Sequence, residues 1–206
     1  MKTIVLFRRR PDLTRAAFRD YYENQHVPLA IQHVHFTKYV RNHLLTPADG
    51  DFDVMSEFWL ADPTAATALA KSPAGAILRE DETRFMTVER FRATAQEEVI
   101  AGPPRGVETG AVRKYSLMLT RPPSVLRTEF FGFVRNWGLL LFGGNALTRV
   151  TVDVVTPLAG ETFPADAIVS LWPNERFANS PLAAGTGMLM FESHETSSDR
   201  LNAAFA

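Results

Sequence analysis

The first half of the chain alternates short β-prone runs with longer helical stripes. Thr3–Phe7 is a short β-prone run that ends in Arg8-Arg9-Arg10 and Pro11, which predicts a strand. The period then changes. Thr14 can cap a helix, and Phe18, Tyr22 and Gln25/His26 recur at i, i+4 and i+7/i+8, one stripe of a helix that Pro28 is expected to end soon after. Lys38–Leu45 reads as a second strand, Pro47-Ala48-Asp49-Gly50 as a turn, and Asp53–Leu60 as a third strand completing a hairpin. Pro63–Leu78 reads as a helix interrupted at Ser72-Pro73, and Met86–Phe91 as a fourth strand. The order is β-α-β-β-α-β, the ferredoxin-like arrangement in which two helices cover one face of an antiparallel sheet.

The pattern then returns. Lys2–His26 lies over Lys114–Gly138 without a gap, keeping Lys2/Lys114, Arg9/Arg121, Pro11/Pro123, Arg15/Arg127, Phe18/Phe130 and Asn24/Asn136. Asp53-Val-Met-Ser-Glu-Phe-Trp59 is echoed by Asp166-Ala-Ile-Val-Ser-Leu-Trp172, and Ser72-Pro73 by Ser180-Pro181. A fixed-offset repeat implies two copies of one unit. The expected organisation is one repeat over 1–100, a linker over 101–110 rich in Gly and Pro, and a diverged repeat over 111–206. A four-stranded sheet with helices on one face leaves the other bare. The second copy can cover it, sheet to sheet, as an intrachain α/β barrel. The copies differ where His26 is matched by Gly138 and Glu57 by Ser170.

Composition narrows the function. With 206 residues, 46% of them hydrophobic, the chain can bury a sizeable core. A net charge of −1 with interspersed signs argues against a nucleic-acid binder. Arg8-Arg9-Arg10 reads as a solvated turn. The absence of cysteine excludes disulfides, thiolate metal sites and a cysteine nucleophile. No apolar run is long enough for a membrane span and Ile4–Phe7 is too short for a signal peptide, so a cytoplasmic protein is expected.

Phe18-Arg-Asp-Tyr-Tyr-Glu-Asn-Gln-His26-Val-Pro-Leu29, preceded by Arg10-Pro-Asp-Leu-Thr14, resembles the helix motif of the EthD family, a branch of the dimeric α/β-barrel superfamily. Tyr39-Val-Arg-Asn42-His43 and Asp53-Val-Met-Ser-Glu57-Phe-Trp59 are similar to its second and third strands, and Lys71-Ser-Pro73 to its second-helix turn. The resemblance covers roughly residues 1 to 95. It implies a histidine at the site, at His26, and a superfamily that includes polyketide cyclases, anthrone-type monooxygenases, decarboxylases, lyases and haem enzymes.

Several residues can carry chemistry. An imidazole titrates near neutral pH, so His26, one turn beyond Tyr22, suits general acid or base work, although a histidine at a helix end also serves as a cap. Tyr22 can donate to an oxygen developing negative charge, and Tyr39, Asn42 or His43 can polarise a carbonyl. Neighbouring strand positions alternate, so only one set faces a pocket. Asp53 and Glu57 share a strand face and form a candidate acid and base, or else a turn residue and a partner for an arginine. Trp59 closes the third-strand motif and is taken with them as substrate-binding. His33 and His35 form a His-x-His pair that lacks an evident third ligand, and His194 is the one histidine in the second half that could face a haem. Gly185-Thr-Gly187 is too short for a phosphate loop.

The expectation is an enzyme without metal or other cofactor, of lyase or cyclase type. It would act on an apolar, aromatic or polyketide-like small molecule, with catalytic His26, Tyr22 and His43. The other class is a non-catalytic small-molecule-binding or accessory protein. A monomer is allowed because the fused pair covers its own sheet face, and a homodimer is also compatible.

Overall fold

The structure is a computed structural model and describes residues 2–45, 52–62, 65–103, 110–180 and 187–205. The turn at Pro47–Gly50, the helix start at Pro63, most of the linker, Pro181 and Gly185-Thr186 lie outside the described residues.

In the first half the elements are β1 (Lys2–Arg9), a helical run made of α1 (Arg15–Tyr21), a π-helical turn (Tyr22–His26) and α2 (Val27–His33), then β2 (Phe36–Leu44), β3 (Val54–Leu60), α3 (Ala65–Ala70), α4 (Pro73–Glu82) and β4 (Met86–Ala101). The second half holds β5 (Ala111–Leu119), α5 (Arg127–Gly143), β6 (Leu147–Pro157), β7 (Ala167–Pro173), a 3-10 turn (Phe177–Asn179), β8 (Leu189–Glu195) and α6 (Ser198–Ala203). Thr14 caps α1 by accepting from the Ala17 amide, and Ser72 caps α4 by accepting from Gly75. Pro28 does not end the helix. It stands in the first turn of α2, where a missing N–H costs least, and the run continues to His33. The fourth strand is far longer than its apolar start indicates, because its outer stretch is polar.

The strands close into one antiparallel barrel in the order β1-β3-β2-β8-β5-β7-β6-β4. Within each half the order is the same, β4-β1-β3-β2 and β8-β5-β7-β6. The halves are joined edge to edge, by β2 with β8 and β4 with β6, so the two sheets become one wall. Such closure leaves no open strand edge. The second half has its long helix, α5, but between β7 and β8 its described residues form only the 3-10 turn.

Alternation along each strand separates two compartments. Inside the barrel, Ile4, Leu6, Met55, Ala93, Val155, Ile168 and Phe191 fill one end. The other end is ionic: Lys2 Nζ lies 2.6 Å from Asp153, 3.0 Å from Glu97 and 3.4 Å from Glu57, and Lys114 Nζ lies 3.2 Å from the same Glu57 oxygen. The repeated lysines are therefore a core pair, and each also lies over its own half's tryptophan, Trp59 or Trp172. Outside the barrel, α1, α2 and α4 bury Phe18, Tyr22, Val27, Ile31, Leu78 and Phe85 against Phe7, Tyr39 and Val54. In the second half α5 lies closely on the sheet: a Cβ at Gly138 would meet Ile100 and Val150 at 3.3 Å.

Candidate functional site

Between the first-half sheet and its helices is a cavity of about 500 Å³. Its walls are largely apolar, with Val5, Phe7, Phe36, Phe58, Leu78 and Phe85 among them, and its polar groups are few: His26, Tyr22, Tyr39 and Ser56 inside, with His33, His35, Asp62, Glu82, Arg90 and Arg92 also lining it. Apolar walls with a few converging polar groups are the usual form of a small-molecule site.

The π-helical turn builds its helical wall. Widening the helix by one residue puts Tyr22 and His26 at the start and end of the same turn, with the Val27 amide donating to the Tyr22 carbonyl and both side chains buried. Tyr22 stacks on Phe85 at 5.3 Å, and the His26 ring lies 4.8 Å from Phe85 and 5.4 Å from Tyr22. His26 Nδ1 is 2.8 Å from Asp81 Oδ2 on α4, and the Tyr21 hydroxyl donates to the other Asp81 oxygen at 2.6 Å. Burial alone raises the Asp81 carboxyl, but the bonds from His26 and Tyr21 outweigh it and hold it below its ordinary value. An ionised carboxylate only accepts, so Nδ1 carries a proton, and in the neutral ring Nε2 is the atom with the lone pair. No described residue bonds Nε2, which leaves it able to take a proton from a ligand in the cavity.

Across the cavity, on the sheet, the Tyr22 hydroxyl lies 2.8 Å from that of Tyr39 and 2.6 Å from Ser56 Oγ. Burial pushes the Tyr22 phenol well above its usual range. It takes Tyr39 up to about 12 against the opposing pull of Arg41, whose guanidinium lies 4.9 Å from the Tyr39 ring.

His43 is on the same side of β2 as Tyr39 but faces a second, more polar cavity of about 700 Å³, lined also by Phe18, Arg19, Glu23, Asp53, His194 and Arg200. Its Nε2 donates to Glu23 at 2.6 Å, and Arg41 donates to the other Glu23 oxygen at 2.7 Å. Burial tends to raise Glu23, yet these two partners hold it down to about 2. For His43 burial prevails over the Glu23 bond, and its pKa is lowered.

Asp53, Asn42, Glu57, Trp59 and His194 are not brought to the first cavity. Asp53 accepts from the Arg9 amide at 3.0 Å and pairs with the Arg9 side chain, as Asp166 accepts from the Arg121 amide at 2.8 Å, so in both halves it braces the loop after the first strand. Asn42, Glu57 and Trp59 lie on the inner side of the barrel. Asn42 bonds the Met55 carbonyl and Ser193, and Glu57 bonds the two lysines. His33 and His35 line the cavity, His35 stacked on Phe205 at 4.5 Å, and among the described residues no three His, Asp or Glu side chains converge as a metal site. His194 Nε2 is 2.6 Å from Arg19 and 2.9 Å from Glu192, so it is already engaged and does not fit an axial haem ligand. Sequence reasoning missed Asp81. Its signal is a carboxylate on the Leu78–Asp81–Phe85 stripe, an acid on an otherwise apolar helix face.

Residues 10–89 match the EthD domain. No curated protein sequence matches the chain. Among solved structures, an anthrone oxidase-like protein is similar over 96% of this chain and 92% of its own, at 8% identity and a TM-score of 0.60. A mutant chlorite dismutase from Candidatus Nitrospira defluvii is similar over 100% and 95%, at 10% identity and a TM-score of 0.52. An EthD-family protein from Bacillus halodurans matches 43% of this chain and 93% of its own at 21% identity, with a TM-score of 0.34. At such identities the first two likenesses speak for the fold alone. No described helix is long and apolar enough to cross a membrane. The likeness to the EthD domain therefore covers residues 10–89, which lie in an antiparallel α/β barrel closed within one chain.

Proposed function

We propose that the protein is an enzyme of lyase or cyclase type, needing no cofactor. It acts on an apolar, aromatic or polyketide-like carbonyl compound in the first-half cavity. The observation that carries this reading is the His26–Asp81 pair, 2.8 Å apart, in an otherwise apolar chamber. His26 Nε2 takes a proton from the carbon next to a ligand carbonyl, giving an enolate and an imidazolium that Asp81 stabilises. The enolate carbon then bonds to a second carbonyl carbon of the same molecule, and His26 returns the proton to the resulting alkoxide. Loss of water completes a cyclisation, and decarboxylation or C–C cleavage follows the same proton logic.

The shared strand order, the matched lysines and the matched Arg–Asp braces support reading residues 1–100 and 111–206 as two ferredoxin-like repeats, of which only the first keeps the site. Mass spectrometry of compounds that co-purify with the chain, followed by thermal-shift and turnover assays with them, tests the proposal. A compound consumed by the wild type but not by His26→Ala supports it. A compound that raises Tm and emerges unchanged points instead to a binding protein.

A further inference from the structure

The hydroxyls of Ser56, Tyr22 and Tyr39 form a chain on the sheet side of the cavity, and their hydrogens do not balance. Three O–H groups share two bonds, of 2.6 and 2.8 Å, and among the described residues no other hydrogen bond engages any of the three hydroxyls. Whichever way the donors are oriented, one proton is left over at a buried oxygen. If Tyr22 relays, the spare donor emerges at Tyr39 or at Ser56; if Tyr22 accepts from both, it is Tyr22's own. All three residues line the cavity.

We propose that this chain recognises the anionic oxygen of a phenolate or enolate ligand. The inference rests on reading the first-half cavity as the ligand site. Burial keeps both tyrosines protonated through neutral pH, so the chain gives a proton and does not itself become an anion. A chain of hydroxyls donating in sequence strengthens its last bond, and an ionised acceptor gains most from it. The Arg41 guanidinium over the Tyr39 ring adds positive potential from behind. Two nearby acids already have cationic partners: Glu23 has Arg41, and Glu82 lies 2.8 Å from Arg90. The two arginines that also line the cavity are paired, Arg90 with Glu82 and Arg92 with Glu161, and the remaining wall beside the hydroxyls is aromatic and aliphatic, where a charged oxygen would lose its hydration without replacement.

The test uses the full chain with 4-nitrophenol, whose absorption reports its ionisation, and 4-nitroanisole, which has the same shape and no ionisable oxygen. The wild type should bind the phenolate more tightly than the anisole and should lower the pH at which the bound dye ionises. Whichever of Tyr39→Phe, Ser56→Ala and Tyr22→Phe removes the donating end should weaken phenolate binding about tenfold or more, the loss of one charge-assisted bond, with anisole binding unchanged. Where Tyr22 is not that end, Tyr22→Phe should weaken it as well. Anisole bound as well as phenolate by the wild type overturns the proposal while leaving the cavity as the ligand site, and this comparison needs no variant to fold. Neither probe bound overturns both. A preference abolished by His26→Ala yet kept by all three hydroxyl variants assigns the anion to His26 and also overturns it.

Discussion

His26 and Asp81 act as a unit because one orients the other. His26→Ala should lower turnover by about 10² to 10⁴, the usual range for a general acid–base group. Asp81→Asn should lower kcat with little change in KM, because an amide can donate to Nδ1 and so move the ring proton to Nε2. Both are read from kcat and KM once a substrate is in hand. Two other carboxylates, half-buried Glu23 and buried Asp153, give the stability profile opposite slopes. Glu23 titrates at about 2 in the fold against an ordinary 4.5, so its contribution, roughly 3 kcal/mol, is present above pH 4.5 and lost as pH falls through 2. Asp153 is raised from 3.8 to about 6, chiefly by burial, so it costs stability above pH 6 and that cost is relieved as pH falls towards 3.8. Melting curves should therefore show the effect of Asp153→Asn becoming more favourable as pH rises from about 4 to neutral, and Glu23→Gln destabilising at neutral pH but not near pH 2. His26 was legible because its motif is local. Asp81 was not, because its partner lies 55 residues away in sequence and only the packing of α4 brings them together.

The elements most open to sequence reading were those with a clean period, namely the first strand of each half, α1 and its Thr14 cap. The π-helical turn was not legible, since nothing in Tyr22–His26 marks a widened turn, and Pro28 pointed to a stop that the chain instead absorbs in the first turn of α2. Parity along the strands was legible but was not enough without knowing which side faces the helices. Tyr39 lies on the helix side, whereas Asn42, Glu57 and Trp59 look into the barrel. On α5 the close approach of helix to sheet leads to a further prediction. Gly138→His should destabilise by about 1–3 kcal/mol, the range for overpacking, because a side chain there must displace Ile100 and Val150. Chemical denaturation measures this. An unchanged midpoint would mean that α5 stands off the sheet.

At the scale of the whole molecule, the repeat gave the strand order of each half but not how the halves join. The seams β2–β8 and β4–β6 are long-range pairings with no local signature. Each half expressed alone would expose two strand edges and a face carrying buried charge, so it should aggregate or form a homodimer. Sedimentation velocity on residues 1–100 and on 111–206 checks this, and a well-behaved monomer would show that a half closes without its partner. The two-compartment wall also has an evolutionary consequence. On the first-half strands, one set of alternate residues maintains the barrel's ionic and apolar filling, while the other set meets the ligand cavity. Val5, Ser56 and Phe58 can therefore be exchanged for new ligand shapes while Lys2, Ile4, Met55 and Glu57 stay untouched, so a lineage built on this wall can change what it binds without renegotiating how it folds.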